Sequence, residues 1–438
     1  MRFFSIPFSA PWEGGGWWVG KEAPVPRAGA SRHDVLSLGP IPLGLHARIG
    51  RPAAPVTALV ATPNLGSTDL CPVSGSSFRS TLYASGVRVL IADPPAFSPP
   101  YDHELAAALA RAGAEVELVS SRFRFGTVPE PEGYERNELF YPLSSRLFKR
   151  SHLRLPLKLC EHPLGMARLA RRRPDVFHLQ WLGLPELDRF LLPRRAPIVF
   201  TAHNLVPRRA VGKRKLWPKL LRRFDAIVVH SERGRETLAE LGIERERLHV
   251  IPHPVFRSDP PRSDDGHTLL CLGLIRSYKG LSDAIEVAKR LGDARLLVAG
   301  DPMEPIEPYR EQAGAIAEWR LGYLSEEEIS RALGDSTVAL FPYRAGLDQS
   351  GALLRALGAG VPVVAYDVGG LAEPVRRFGV GAVVPPGDIE AMTEAVRELL
   401  DNPDALARAR AGVLAARDTL SWDAAAASHL EVYKSLLG

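Results

Sequence analysis

Three groups of residues in this 438-residue chain have the types and spacing to hold an anion or position a reacting group. Arg276 and Lys279 lie in Gly273-Leu274-Ile275-Arg276-Ser277-Tyr278-Lys279-Gly280, which follows an apolar strand-type run and opens a helix-type run. A guanidinium offers a bidentate fork and an ammonium a mobile point charge, so the pair suits a diphosphate. The competing reading is two solvated cations at a helix start, which the helix dipole disfavours unless an anion is also bound. Ser350 and Gly351 begin another helix, with Asp348, Gln349 or Ser350 as its cap, and its first N–H groups would serve the same diphosphate. The third group is His203-Asn204, directly after a strand-type run, where a histidine faces a cleft rather than a core. Upstream, His178 and Gln180 alternate with apolar neighbours and share one strand face, as site groups or as packing.

The elements that must position these residues are those of parallel sheets. Val338–Phe341 is a short apolar run closed by Pro342, Gly351–Ala359 a helix stopped by Gly360, and Val361–Ala365 a second apolar run. In such a unit the loop and helix start project from the carboxyl end of the sheet, where phosphorylated ligands bind. Further upstream, strand 87–92, helix 101–112 and strand 115–120 make a βαβ opening, continued by strands at 176–179, 198–202, 226–229 and 249–251. Pro252-His253-Pro254 and the turn-rich 260–266 read as a linker. A second series follows, with strands at 268–273, 294–299, 338–341, 361–365 and 381–384 alternating with helices at 281–290, 326–333 and 389–400. The expected fold class is α/β, with two doubly wound Rossmann-like domains at 87–255 and 268–420 facing a cleft. Residues 1–86 show no sustained period, carry Gly14-Gly15-Gly16 and scattered prolines, and are expected to be a low-complexity, disordered extension.

Composition sets bounds. Apolar content of 45% with 24% charged residues is that of a soluble globular protein, and a net charge of +5 is small enough that local distribution matters more than the sum. Cys71, Cys160 and Cys271 are far apart and form no C-x-x-C pair, which argues against a disulfide framework or a metal site and for a reducing cytoplasm. No run of eighteen apolar residues offers a membrane span, and the first eight residues are too short and Pro-broken for a signal peptide.

Arg355-Ala356-Leu357-Gly358-Ala359-Gly360-Val361-Pro362-Val363-Val364-Ala365 resembles the end of the donor-binding segment of retaining glycosyltransferases of family four, which have the two-domain GT-B fold. That family writes E-x-F-G-L-x-x-x-E-A-x-A-x-G-x-P-V-V-A, and its two glutamate positions here carry Leu347 and Arg355. The resemblance extends over about residues 87–438, and the helix at 421–438 resembles the family's last helix, which crosses back onto the first domain. It implies transfer of a hexose from a nucleotide-sugar to a glycan or lipid-linked acceptor with retention at the anomeric carbon. On that basis Arg276, Lys279, Ser350 and Gly351 hold the donor diphosphate, and Gly322 and Leu324 match the G-x-V segment whose backbone contacts the base. His203 positions the donor sugar, Asp348 or Gln349 meets its hydroxyls, and Asn204, His178 and Gln180 are acceptor-side groups. No metal or other cofactor is expected, the nucleotide-sugar being a substrate. Arg355 stands where the family's second glutamate binds the ribose, and a guanidinium donates to oxygen but cannot accept from a diol. These two departures leave open a GT-B protein that binds nucleotide or glycan as a partner subunit without turnover.

Two stretches of the first domain are strongly basic. Residues 146–173 carry Arg146, Lys149, Arg150, Arg154, Lys158, Arg168 and Arg171-Arg172-Arg173. Residues 207–224 carry eight cations and no acid, interleaved with Leu216, Trp217, Leu220, Leu221 and Phe224 at near-helical spacing. That face suits docking on an anionic bilayer, at the inner side of a cell membrane, against a plain solvated helix with ordinary packing. Nucleic acid is not expected, since no recognised motif accompanies the charge.

Overall fold

The computed structural model describes residues 86–147, 154–206, 216–344 and 348–438. The expectation of a disordered extension, residue 86 apart, lies outside the described residues, as do Leu347 and the cations Lys149, Arg150, Arg208, Arg209, Lys213, Arg214 and Lys215.

The first series runs β1 (Arg88–Asp93), α1 (Pro99–Arg111), β2 (Glu115–Ser121), β3 (Glu135–Phe140), α2 (Ser144–Leu147), α3 (Arg154–Leu169), β4 (Val176–Leu179), α4 (Pro185–Leu191), β5 (Ile198–Thr201), α5 (Leu216–Leu221), β6 (Ala226–Val229), α6 (Glu232–Glu240) and β7 (Leu248–Val250). The second runs β8 (Thr268–Leu272), α7 (Leu281–Leu291), β9 (Arg295–Gly300), α8 (Glu307–Ala313), β10 (Ala317–Leu321), α9 (Glu326–Gly334), β11 (Val338–Phe341), α10 (Gly351–Gly358), β12 (Val363–Tyr366), α11 (Ala372–Phe378), β13 (Gly381–Val384), α12 (Ile389–Asp401), α13 (Pro403–Thr419) and α14 (Trp422–Leu437).

The strands form two all-parallel sheets, ordered β3-β2-β1-β4-β5-β6-β7 and β10-β9-β8-β11-β12-β13. Parallel strands need crossovers that cover both faces, so central strands are apolar on both sides. In β1, Val89 and Ile91 enter one core layer, and Leu90 and Ala92 the other. In β8, Leu269 and Leu270 divide in the same way. α14 buries Ala425, Ala426, Leu430 and Tyr433 against Tyr101 and Leu105 of α1, so the last helix of the chain completes the core of the first domain.

Two strands were not legible as runs. β3 (Glu-Arg-Asn-Glu-Leu-Phe) and β10 (Ala-Glu-Trp-Arg-Leu) are edge strands, and neither needs the two-sided apolar pattern of the interior. The second basic stretch is corrected in part. Trp217, Leu220, Leu221 and Phe224 are buried in the first-domain core, because α5 turns its apolar side to β5 and β6. They cannot face a bilayer. Outward apolar residues are found instead on α3 and α4, among other places: Leu159, Leu164 and Phe190 are 44%, 61% and 64% exposed. On α3 the polar Glu161 and His162 point inward and are satisfied there, Glu161 by the Leu143 and Ser144 N–H groups and His162 by Tyr141 and Asp188. Among the described residues no helix is long and apolar enough to cross a membrane.

Candidate active site

Two chain reversals meet at the carboxyl end of the second sheet. β8 ends at Leu272, Gly273 turns the chain with φ +98°, and residues 277–279 form one 3-10 turn before α7. Gly280 enters α7 at φ +70°, and a Cβ there would lie 2.0 Å from the Pro342 carbonyl oxygen, so only glycine lets this loop rest on the end of β11. Lys279 folds back beneath the loop, with Nζ 3.4 Å from the Leu272 carbonyl oxygen and 5.2 Å from the centre of the Tyr343 ring. Arg276 lines the same cavity with Gly273, Lys279 and Tyr343. α10 begins opposite: Ser350 caps it by accepting from the Leu353 N–H at 3.5 Å, and its hydroxyl lies 3.2 Å from that of Tyr343. A Cβ on Gly273 would stand 3.7 Å from that of Ala352, so the loop and the helix start are in contact range. The first N–H groups of α10 have no acceptor within the helix, and two cations stand nearby. Donors and cations gathered in this way suit an anion. The Gln349 amide donates to the Gly370 carbonyl at 2.9 Å, and its buried Oε1 accepts no hydrogen bond.

Asp348 lies elsewhere than expected. It is fully buried and accepts from the His230 N–H at 2.5 Å and from the Ser231 hydroxyl, both in the first domain. It therefore ties the two domains together and has no face left for a sugar. Burial, with the Glu373 charge adding to it, pushes its carboxyl up to about 7, while the two donors pull it down. Sequence reasoning also missed its companions. Glu373 accepts from the Glu232 and Arg233 N–H groups at 3.0 and 2.8 Å, and Asp367 pairs with Arg233 at 3.3 Å. Three carboxylates of the second domain thus grip the first turn of α6, where the helix dipole favours negative charge. Gly370 permits this approach, since a Cβ there would fall 2.1 Å from the Asp348 carbonyl oxygen.

After β10, Gly322 turns with φ +123°, and Leu324 lines a cavity of about 350 Å³ with Arg320, Leu321, Glu328 and Arg331. The Tyr323 ring, half exposed, stands 6.1 and 6.4 Å from Phe123 and Phe125 of the first domain. Arg355 forms a bidentate pair with Glu326 at 2.5 and 2.8 Å and packs over the Phe256 ring at 4.8 Å.

Across from these, the carboxyl edge of the first sheet carries His203, Gln180 and His178 in one chain. His203 Nε2 donates to Gln180 Oε1 at 2.9 Å, which fixes the tautomer and leaves Nδ1 as the ring's acceptor. Trp181 stacks on the His203 ring with centres 5.0 Å apart, and Tyr101 meets it edge-on at 4.8 Å. Burial, then the neighbouring His230 and His253, hold the His203 pKa well below its usual value, so the ring is neutral at pH 7. His178 is corrected as an acceptor-side group. It is wholly buried, with Nδ1 at 2.7 Å from the Tyr433 hydroxyl and Nε2 at 2.7 Å from that of Thr201. Gln180 is also buried and reaches any ligand only through His203. Asn204 is half-buried beside them. Among the described residues no cluster of three or more His, Cys, Asp or Glu could hold a metal ion.

With this geometry in hand, similarity to known proteins is specific. The sequence profile of Glycosyltransferase Family 4 matches residues 101–257, and that of Glycosyl transferases group 1 matches residues 266–402. The chain is 32% identical over 279 residues to a phosphatidyl-myo-inositol mannosyltransferase of Mycobacterium leprae, covering 60% of this chain and 74% of that protein. It is 30% identical over 250 residues to a 2-deoxystreptamine glucosyltransferase of Streptomyces kanamyceticus, covering 50% of this chain and 62% of that protein. The fold matches the solved sucrose-phosphate synthase of Thermosynechococcus elongatus with a TM-score of 0.60 at 19% identity, over 80% of this chain and 99% of that one. The two parallel sheets, the two profiles in series and the mannosyltransferase relative lead to one conclusion: the chain belongs to glycosyltransferase family 4 and has the GT-B fold.

Proposed function

We propose that this protein transfers a hexosyl group from a nucleoside-diphosphate sugar to a hydroxyl of a glycan or lipid-linked acceptor, with retention at the anomeric carbon. The observation that carries the reading is the approach of the Gly273–Gly280 loop, which carries Arg276 and Lys279, to the start of α10 at the carboxyl edge of the second sheet, where a Cβ on Gly273 would stand 3.7 Å from that of Ala352. Charge that develops on the departing diphosphate is met there by fixed donors and cations, the arrangement that lowers a barrier most in a partly dehydrated site. The bond from the anomeric carbon to the diphosphate oxygen breaks, and the acceptor oxygen bonds to that carbon on the same face. The acceptor proton passes to the departing diphosphate oxygen. The cations supply the neutralisation that a divalent metal supplies in other transferases, so turnover needs no metal. Neutral His203, held by Gln180 and Trp181, contacts the sugar from the first domain.

For the acceptor, the exposed Leu159, Leu164 and Phe190 lie on helices that also carry Lys158, Arg168 and Arg189. Apolar side chains flanked by cations fit the anionic face of a bilayer, and the mannosyltransferase relative is named for a phospholipid acceptor. The protein is accordingly placed, in this proposal, as a peripheral enzyme at the inner face of the cell membrane, acting on lipid-linked saccharide.

The test is a thermal-shift titration with UDP, GDP, dTDP and ADP, followed by assay of the matching nucleotide-sugars with EDTA present and NMR of the product's anomeric proton. A base-selective shift and turnover with a retained configuration support the proposal. Binding of a nucleoside diphosphate with no turnover of any donor would favour the non-catalytic partner-subunit reading.

A further inference from the structure

The charge reversal at position 355 is answered from a different element. Arg355 lies one helical turn beyond Gly351 on α10, so the two share a face of the helix whose N-terminus forms the anion site. The ribose of a nucleoside diphosphate anchored at that N-terminus hangs one phosphate link away, a reach comparable to one turn of about 5.4 Å. A guanidinium at that place cannot accept a hydrogen bond from a diol. Glu326, the first residue of α9, stands beside it. Both its oxygens are engaged by the Arg355 fork, while its side chain is 70% exposed and that of Arg355 only 18%. Arg355 is in turn held over the Phe256 ring. A carboxylate with both oxygens gripped from one side keeps free lone pairs on the other, which is the geometry for accepting from two vicinal hydroxyls. Tyr323, three residues before Glu326, presents a half-exposed ring beside it, and Phe125 of the first domain covers that ring from across the cleft.

We propose that Glu326 is the ribose-binding carboxylate of this protein and that Arg355 is its positioning residue, the pair selecting nucleoside 5′-diphosphates that carry a 2′,3′-diol. This rests on the donor site proposed above. The inference adds a residue from α9 to a site otherwise built by α10 and the Gly273–Gly280 loop.

The experiment measures dissociation constants of UDP, GDP and ADP, each against its 2′-deoxy form, with inorganic pyrophosphate as the probe of the phosphate end alone. Wild type is expected to prefer the ribonucleotide by about tenfold, the value of a hydrogen bond to a charged group. Glu326→Gln should reduce that preference to within about twofold and leave pyrophosphate binding unchanged. Arg355→Ala should reduce it as well, Arg355→Lys should restore part of it, and the exchange Glu326→Arg with Arg355→Glu should restore most. Glu326 is exposed, so Glu326→Gln should melt as wild type does. A ribose preference untouched by Glu326→Gln, in a protein whose nucleotide binding is lost in Lys279→Ala, overturns this inference and leaves the donor site standing. Failure of the wild type to bind any of the nucleotides overturns both.

Discussion

Asp348 and Ser231 meet across the domain boundary, the carboxylate of the second domain accepting from the hydroxyl that caps α6 of the first. The same hydroxyl accepts from the Gly234 N–H at 2.8 Å, so the helix cap and the domain contact are one arrangement. An aspartate next to the donor loop has been recruited to hold the domains at a fixed separation.

Loss of Asp348 should therefore act on stability first. Asp348→Ala leaves the buried His230 N–H without an acceptor and is expected to cost roughly 1–3 kcal/mol, measured by urea denaturation. Asp348→Asn keeps the shape and should cost less. A fall in turnover with an unchanged unfolding midpoint would show instead that the carboxylate serves the sugar.

The same residue gives a pH signature of known sign. Its carboxyl is pushed up to about 7 in the folded protein, against about 3.9 when free. Between those values the folded state holds a proton that the unfolded chain has lost, so this contribution is complete below about pH 3.9 and disappears as pH rises through 7. Relative to Asp348→Asn, wild type should lose up to about 1.4 kcal/mol per pH unit over that window, read from unfolding free energies at pH 5, 6 and 7.

His230 titrates the other way. Burial lowers it to about 4, so it favours the folded state above its free value of about 6.5 and loses that favour as pH falls towards 4. His230→Asn should flatten the acid limb of the stability profile between pH 6.5 and 4. An unaltered limb would assign acid sensitivity to the other buried imidazoles, His178, His253 and His429.

Lys279→Ala should weaken nucleoside diphosphate binding by tenfold or more, the order expected of a charge-assisted contact, with little change in melting temperature. Calorimetry decides this. Unchanged affinity would move the diphosphate away from the Gly273 loop.

Leu164→Glu and Phe190→Glu test the proposed bilayer contact. Each removes an exposed apolar side chain worth about 1.5–3 kcal/mol when inserted, so binding to vesicles of anionic phospholipid should fall by about tenfold or more while the melting curve stays put. Equal vesicle binding by wild type and variants would leave α3 and α4 without that role.

Much of the fold was legible because parallel strands buried on both faces must be continuous apolar runs. Val176–Leu179, Ala226–Val229 and Val338–Phe341 were bounded to the residue from such runs. The edge strands β3 and β10 were not, since an edge tolerates Glu135, Arg136 and Arg320. The start of α10 at Gly351 was also readable, since a capping side chain before an apolar run marks a helix start.

The sequence by itself determined two doubly wound domains and the helix that starts at Gly351. All of these depend on neighbours within a few turns of chain, where periodicity, glycine conformation and capping act. Only the tertiary structure decided which polar side chains stay exposed to a ligand. His178 is consumed by Tyr433, 255 positions away, Asp348 by Ser231, 117 away, and Arg355 by Glu326, 29 away. Each of those partners is brought in by the packing of another helix or domain, and a hydrogen bond to a distant residue leaves no periodic trace in the chain that forms it.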